Sequence, residues 1–287
     1  MSRIAVLGMG AMGSRIAQKL LKTNHQVIVY NRTADKAKLL VEQGAIYAAK
    51  PREAAEQAEI VISMVTDDLA SRAVWLDPET GAILGLSKNA IAIESSTLTV
   101  NWTRELAAAI EGRGAEFLDA PVVGSRPQAD AGKLIYLVGG KVEILRKVQD
   151  ILLSVGATVY HIGSLSQGMA MKLAVNALFG IQVAALAEVL GMLTKHGVTS
   201  AKAMECLGSL PIISPAAKGA GNLILANNQT PMFPISLVEK DFRYIIQTAQ
   251  AVNAQTPTSA AIHQIYQNAI AQGYGNDNIT GIAQLFS

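Results

Sequence analysis

The stretch Ile4-Ala5-Val6-Leu7-Gly8-Met9-Gly10-Ala11-Met12-Gly13-Ser14 decides the fold. Its four leading apolar residues read as a short buried strand, and a helical pattern over 14–22 follows the last glycine. Each glycine of a Gly-x-Gly-x-x-Gly turn has its own task. The first permits the tight turn, the second lets the backbone approach a pyrophosphate, and the third lets the helix pack closely on the strand. Amides at the helix N-terminus then face the anion. The spacing is weak evidence by itself, because glycines recur by chance; its place between a strand and a helix gives it force. On this reading Gly8, Met9, Gly10, Ala11, Met12 and Gly13 hold the phosphates of a dinucleotide.

Working outward, the end of the second strand reads Asn31-Arg32-Thr33. A site for NAD usually places Asp or Glu there to bond the ribose hydroxyl. An arginine instead can pair with a 2′-phosphate and stack on adenine. The expected cofactor is therefore NADPH (NADP in the oxidised form), with a solvated surface Arg32 as the plainer reading. Val65 and Thr66 end the third strand run, and Thr97 follows the next. Ligands bind at the carboxyl ends of such strands, although hydroxyls in these turns also cap helices.

Strand runs are expected at 4–7, 26–30, 60–65, 90–94, 116–118 and 134–138, alternating with helical patterns such as 34–43 and 101–111. This alternation implies βαβ units and a mainly parallel sheet covered on both faces. From Gly163 onward only helical patterns remain, broken by turn clusters at 210–215, 227–234, 253–257 and 273–278. The expected fold class is α/β: a doubly wound Rossmann-type domain over 1–162, then an all-α domain over 163–287 entered by a long apolar helix.

Half of the 287 residues are hydrophobic and 16% are charged, with a net charge of +2 and no block of basic residues. Nucleic acid is not expected as a partner. Cys206 is the only cysteine, which excludes an intrachain disulfide and a multi-cysteine metal site, and it is expected to pack within a helix. His25, His161, His196 and His263 show no metal-binding spacing, so no metal is expected. The first residues lack an apolar run of signal-peptide length, and a cytoplasmic location is expected. The run 173–194 has the length of a membrane span but carries Asn176, Gln182 and Glu188, as a buried core helix does, so no membrane is expected.

Lys172 and Asn176 lie four apart at the start of that helix, hence on one face. Beside bound nicotinamide the lysine can protonate a substrate carbonyl as hydride arrives, with the amide holding it in place. Spacing alone leaves open a lysine reaching into solvent.

Four ordered motifs carry a family resemblance over essentially the whole chain. They are the glycine turn; Asp119-Ala120-Pro121-Val122-Val123-Gly124-Ser125; the segment from Gly163 with Gly168, Lys172 and Asn176; and Lys240-Asp241. The chain resembles the β-hydroxyacid dehydrogenases, which include 3-hydroxyisobutyrate dehydrogenases and tartronate-semialdehyde and glyoxylate/succinic-semialdehyde reductases. Their second domain is of the 6-phosphogluconate dehydrogenase type. The resemblance implies that Lys172 is the general acid/base with Asn176 as its companion. It places Val123, Gly124, Ser125, Phe233 and Asp241 around the substrate, and Lys240 on the cofactor or the active-site cleft. It also implies a homodimer or homotetramer. Asn31-Arg32-Thr33 and Gly124-Ser125-Arg126-Pro127 are most similar to the NADPH-dependent glyoxylate/succinic-semialdehyde reductases, whose substrates are small aldehydes and keto acids.

One position departs from the family. Val123 stands where a serine usually helps to hold the substrate carboxylate. Valine removes both a donor and an acceptor. Ser125 can substitute, or the substrate carries its anionic group elsewhere, or it has none. Two other readings follow: an imine reductase of related architecture, whose members generally lack the lysine, and a non-catalytic NADPH-binding module.

Overall fold

The computed structural model describes all 287 residues. They divide into two compact units, Met1–Lys172 and Leu173–Ser287. The first unit is built on nine strands: β1 (Arg3–Leu7), β2 (Gln26–Tyr30), β3 (Ile46–Tyr47), β4 (Ile60–Ser63), β5 (Ile91–Glu94), β6 (Glu116–Asp119), β7 (Val122–Val123), β8 (Leu134–Gly139) and β9 (Gly156–Gly163). Six of them run parallel in the order β3-β2-β1-β4-β5-β6. That order reverses between β1 and β4, which opens the crevice where this sheet type takes its ligand. Beyond β6, strand β8 runs antiparallel to β6 and β7 and parallel to β9.

The sheet is covered on both faces, so its strands are apolar without alternation. Ile4, Ala5, Val6 and Leu7 are all fully buried. The helix Gly13–Lys22 packs through Ile16, Ala17 and Leu20, the i, i+1, i+4 face of a helix against a sheet. Lys19 and Lys22 in its last turn complement the helix dipole.

Three strands have no clear sequence signal. β3 and β7 are two residues each, too short for any periodicity. β9 is an edge strand with a mixed burial pattern and a glycine at each end. The run at 60–65 stops being strand at Ser63, because Val65 turns its N–H to the Ser96 hydroxyl at 2.8 Å. The helical pattern at 34–43 starts as a 3-10 turn over Ala34–Ala37 before the α-helix Lys38–Glu42.

The helix Gln167–Lys195 starts in the first unit and continues through the second. The remaining helices are Ser200–Leu207, Pro215–Leu225, Ile235–Gln250 and Pro257–Ala271, and the turn clusters fall between them. Gly180 and Gly191 allow close approaches. A Cβ on Gly180 would press into the Phe242 ring, and one on Gly191 into Phe286. Phe242 stacks on Tyr266, whose hydroxyl donates to the Gly180 carbonyl at 3.0 Å. The long helix is less buried than its composition suggests. Val183, Ala184, Ala187 and Leu190 are buried, but Leu178 and Met192 are more than half exposed. Apolar residues surround this helix, so the sequence pattern cannot mark its packed face.

Candidate active site

The glycine turn separates into two structural glycines and one open position. Gly8 has φ +103°, and a Cβ there would strike the Met64 carbonyl at the end of β4. A Cβ on Gly13 would strike the Gly8 carbonyl. Gly10 has nothing within 4 Å of its missing Cβ, the open backbone that a pyrophosphate needs. No side chain caps the helix at Met12 and no acid stands in its first turn. Its positive end therefore favours an anion.

Asn31 braces this turn. Its Oδ1 accepts the Met9 N–H at 2.8 Å and its Nδ2 donates to the Thr33 carbonyl at 2.8 Å. Arg32 and Thr33 are exposed beyond it. The next acid along the chain, Asp35, is paired with Lys38 at 2.7 Å.

The turns carrying Val65-Thr66 and Thr97 are tied together by groups that sequence reading overlooked. Ser96 accepts the Val65 N–H and donates its own N–H to Glu94 Oε1 at 2.9 Å. Glu94 is fully buried on β5, and its Oε2 takes the Ser71 hydroxyl at 2.8 Å and the Trp75 indole N–H at 3.0 Å. Three donors on one carboxylate meet the demand of burial. Asp68 accepts both the N–H and the hydroxyl of Thr99, at 3.0 and 2.7 Å. The ends of β4 and β5 are thus held rigidly at the ligand crevice of the sheet.

In the segment 119–125, Asp119 is fully buried and serves the long helix. It accepts the N–H groups of Ser166 and Met169, each at 2.7 Å. Burial pushes its carboxyl up to about 6, against the pull of these and the Gly168 N–H. Gly139 and Gly168 leave room for it, since a Cβ on either would crowd its oxygens. Val123 is half-buried at the end of β7. Gly124 is exposed with φ +123°, and a Cβ there would meet the side chains of Gln128 and Leu134 at 3.0 Å. Ser125 opens the short helix Arg126–Asp130 in a capping box with Gln128, whose Oε1 accepts the Ser125 N–H at 3.0 Å.

Lys172 and Asn176 are both buried, one turn apart on the long helix. In the second unit Asn176 Nδ2 donates to Asp241 Oδ2 at 2.6 Å. Lys240 Nζ lies 3.1 Å from Asp241 Oδ1, an ion pair without the alignment of a full hydrogen bond. The same ammonium lies 5.1 Å from the centre of the Tyr244 ring. Asp241 thus holds Asn176 by a hydrogen bond and Lys240 by charge. Phe233 is half-buried and pinned through its N–H to Asn278 Oδ1 at 3.0 Å.

Cys206 is exposed instead of packed, and Ala203 and Met204 are the buried residues of its helix. His161 meets the Gly140 carbonyl and His263 meets Glu239, at 2.8 and 2.7 Å.

A doubly wound sheet with an open glycine turn, followed by a helical unit with a buried Lys–Asn pair at its entry, defines a dinucleotide-dependent oxidoreductase. Residues 3–163 match the family model for the NAD-binding domain of 6-phosphogluconate dehydrogenase. Residues 166–286 match that for the NAD-binding domain of NADP-dependent 3-hydroxyisobutyrate dehydrogenase. The chain belongs to this 3-hydroxyisobutyrate dehydrogenase-like family of NAD(P)-dependent oxidoreductases. It is 31% identical to the chloroplastic glyoxylate/succinic semialdehyde reductase 2 of Arabidopsis thaliana, over 98% of this chain and 78% of that protein. It is 30% identical to the cytokine-like nuclear factor N-PAC of Homo sapiens over 99% of this chain, and spans about half of that longer protein (51%). Among solved structures it is similar to 3-hydroxyisobutyrate dehydrogenase of Mycobacterium tuberculosis with L-serine. The TM-score is 0.87 at 25% identity, covering 99% of each chain.

Proposed function

We propose that the protein is an NADPH-dependent reductase of the carbonyl group of small aldehydes or keto acids. The observation that carries this reading is the buried pair Lys172 and Asn176 on one helical face, with the amide locked by Asp241. The open backbone at Gly10 fits a pyrophosphate. In this reading the helix behind it binds the phosphates, Arg32 takes the 2′-phosphate, and Thr66 and Thr97 border the nicotinamide end. When bound, the nicotinamide supplies the hydride. Lys172 holds the proton at Nζ and releases it to the substrate oxygen as charge develops there. Asn176, with its Nδ2 donated to Asp241, keeps its carbonyl oxygen as an acceptor suited to an ammonium or a substrate hydroxyl. Lys240 contributes positive charge held in place by Asp241. The reading includes a homodimer or homotetramer. The exposed Leu178 and Met192 on the long apolar helix support it, and light scattering on the purified protein tests it.

The test is an NADPH-oxidation screen across aldehydes, keto acids and cyclic imines. Activity with aldehydes or keto acids that requires Lys172 supports the proposal. Val123 favours one second reading, since an imine carries no carboxylate for a serine to hold. Turnover of cyclic imines alone would select that reading, and no turnover at all would select a binding module.

A further inference from the structure

The first N–H groups of a helix lack partners within it, and a neighbouring Ser, Thr or Asp side chain usually accepts one. At the start of the helix Gln167–Lys195 the acceptor comes from another element. Asp119 ends β6, 47 residues before Ser166, and accepts the N–H groups of Ser166 and Met169. Ser166 stands where a local cap belongs, but its Oγ accepts from Arg104 Nε at 3.0 Å and its backbone is left-handed, with φ +70°. A local cap would satisfy such donors and leave the helix free to shift, whereas a cap from β6 pins it to the sheet. Met169 adds a second tie. Its side chain is fully buried, and its Sδ accepts the Leu98 N–H at 3.2 Å. Leu98 directly follows Thr97 in the turn after β5.

We propose that Asp119 and Met169 are positioning residues for the reaction: together they fix the helical turn bearing Lys172 against the turn bearing Thr97. The inference rests on the reading above, in which Lys172 supplies the proton and Thr97 borders the nicotinamide. Met169 and Lys172 lie three apart, on one helical face and about 4.5 Å apart along the axis, so a shift of the first carries the second with it. Every member of the arrangement, Lys172 included, belongs to the first unit. The carboxylate cannot drift, since a Cβ on Gly139 or Gly168 would already crowd its oxygens. Hydride and proton must reach one carbonyl together, and a misplacement of about 1 Å costs a reaction about a hundredfold. A thioether is a weak acceptor, so its value here is geometric. Leucine of similar volume would fill the space but leave the Leu98 N–H without this partner.

The experiment is a double-mutant cycle on hydride transfer, read as single-turnover NADPH oxidation with the aldehyde or keto acid that the screen above finds fastest. Asp119→Asn and Met169→Leu are each made in the wild type and in Lys172→Ala. In the wild type each should slow hydride transfer about ten- to hundredfold and leave KM and the Kd of NADPH within about twofold. In Lys172→Ala neither should slow it further, because a positioning residue acts only through the group it positions. Equal losses in both backgrounds would show a merely structural role and overturn the proposal, as would no loss in either. Near-normal transfer by Lys172→Ala alone would instead reject the reading of Lys172, and the positioning role would fall with it. A second arm needs no turnover: amide hydrogen exchange over residues 166–172. Exchange there should quicken at least about tenfold in Asp119→Asn while β1 keeps its protection, and unchanged exchange would overturn the proposal. If Asp119→Asn does not fold, Met169→Leu decides alone, since the core tolerates an exchange that conserves volume.

Discussion

Lys172 is one of two lysines buried in this protein, and the other, Lys240, has Asp241 beside it. An ammonium kept on a buried helical face beside an ordered amide is suited to proton transfer. Lys172→Ala should lower kcat by about a hundredfold to ten-thousandfold, the usual size of a general acid contribution, with NADPH binding retained. Near-normal turnover would remove Lys172 from the mechanism. Arg32 makes a separate claim. It is exposed at the end of β2, so its substitution leaves the core untouched. Arg32→Glu should weaken NADPH by at least about tenfold, through loss of one phosphate pair and added repulsion, and change NADH little. Fluorescence titration with both cofactors measures this, and equal effects on the two would refute the 2′-phosphate role. At Val123, a serine should lower KM for small semialdehyde acids if the absent hydroxyl limits them, and an unchanged KM would show that another group already carries the anion.

At the scale of elements, the long helix depends on the carboxylate of Asp119 at its start. Asparagine there keeps the shape but turns an NH₂ toward backbone N–H groups, a buried mismatch costing about 1–3 kcal/mol. Its pH dependence has a definite sign. Burial raises the folded-state carboxyl from 3.8 to about 6, so the native state binds the proton more tightly than the unfolded chain does. This contributes stability below the unfolded value that is lost as pH rises through about 6, roughly 3 kcal/mol in all. The gap in thermal midpoint between wild type and Asp119→Asn should therefore narrow from pH 4 to pH 7, and a constant gap would refute the shift. This role was not legible in the sequence. The segment 119–125 reads as one substrate motif, yet its first residue points to a helix start some 47 residues later, a pairing that no local pattern encodes. Glu94 was hidden for the same reason, since it looks like the polar end of a strand until Ser71 and Trp75 fold onto it. What was legible was local: the glycine turn, the strand runs long enough to show their apolar character, and the turn clusters between helices. β3, β7 and β9 escaped because two residues or an exposed edge carry no periodicity.

On the scale of the whole molecule, the helix Gln167–Lys195 belongs to both units, and this makes a claim about cooperativity. Its first turn is anchored by Asp119 in the first unit, and further along Gly180 is locked by Phe242 and Tyr266 in the second. Unfolding one unit would strip an anchor from a helix that the other unit also requires. The two are therefore expected to melt as one. A ligand that binds only the native first unit then stabilises the entire chain, by about 2.7 kcal/mol at a concentration of a hundred times its Kd. With an unfolding entropy of roughly 2.1 cal/mol/K per residue, this moves a single transition of the whole chain upward by about 4–5 °C. Scanning calorimetry with NADPH should show one peak displaced by that amount. Two peaks, of which only one moves with NADPH, would show that the helix does not couple the units, and would confine the effect of the cofactor to residues Met1–Lys172.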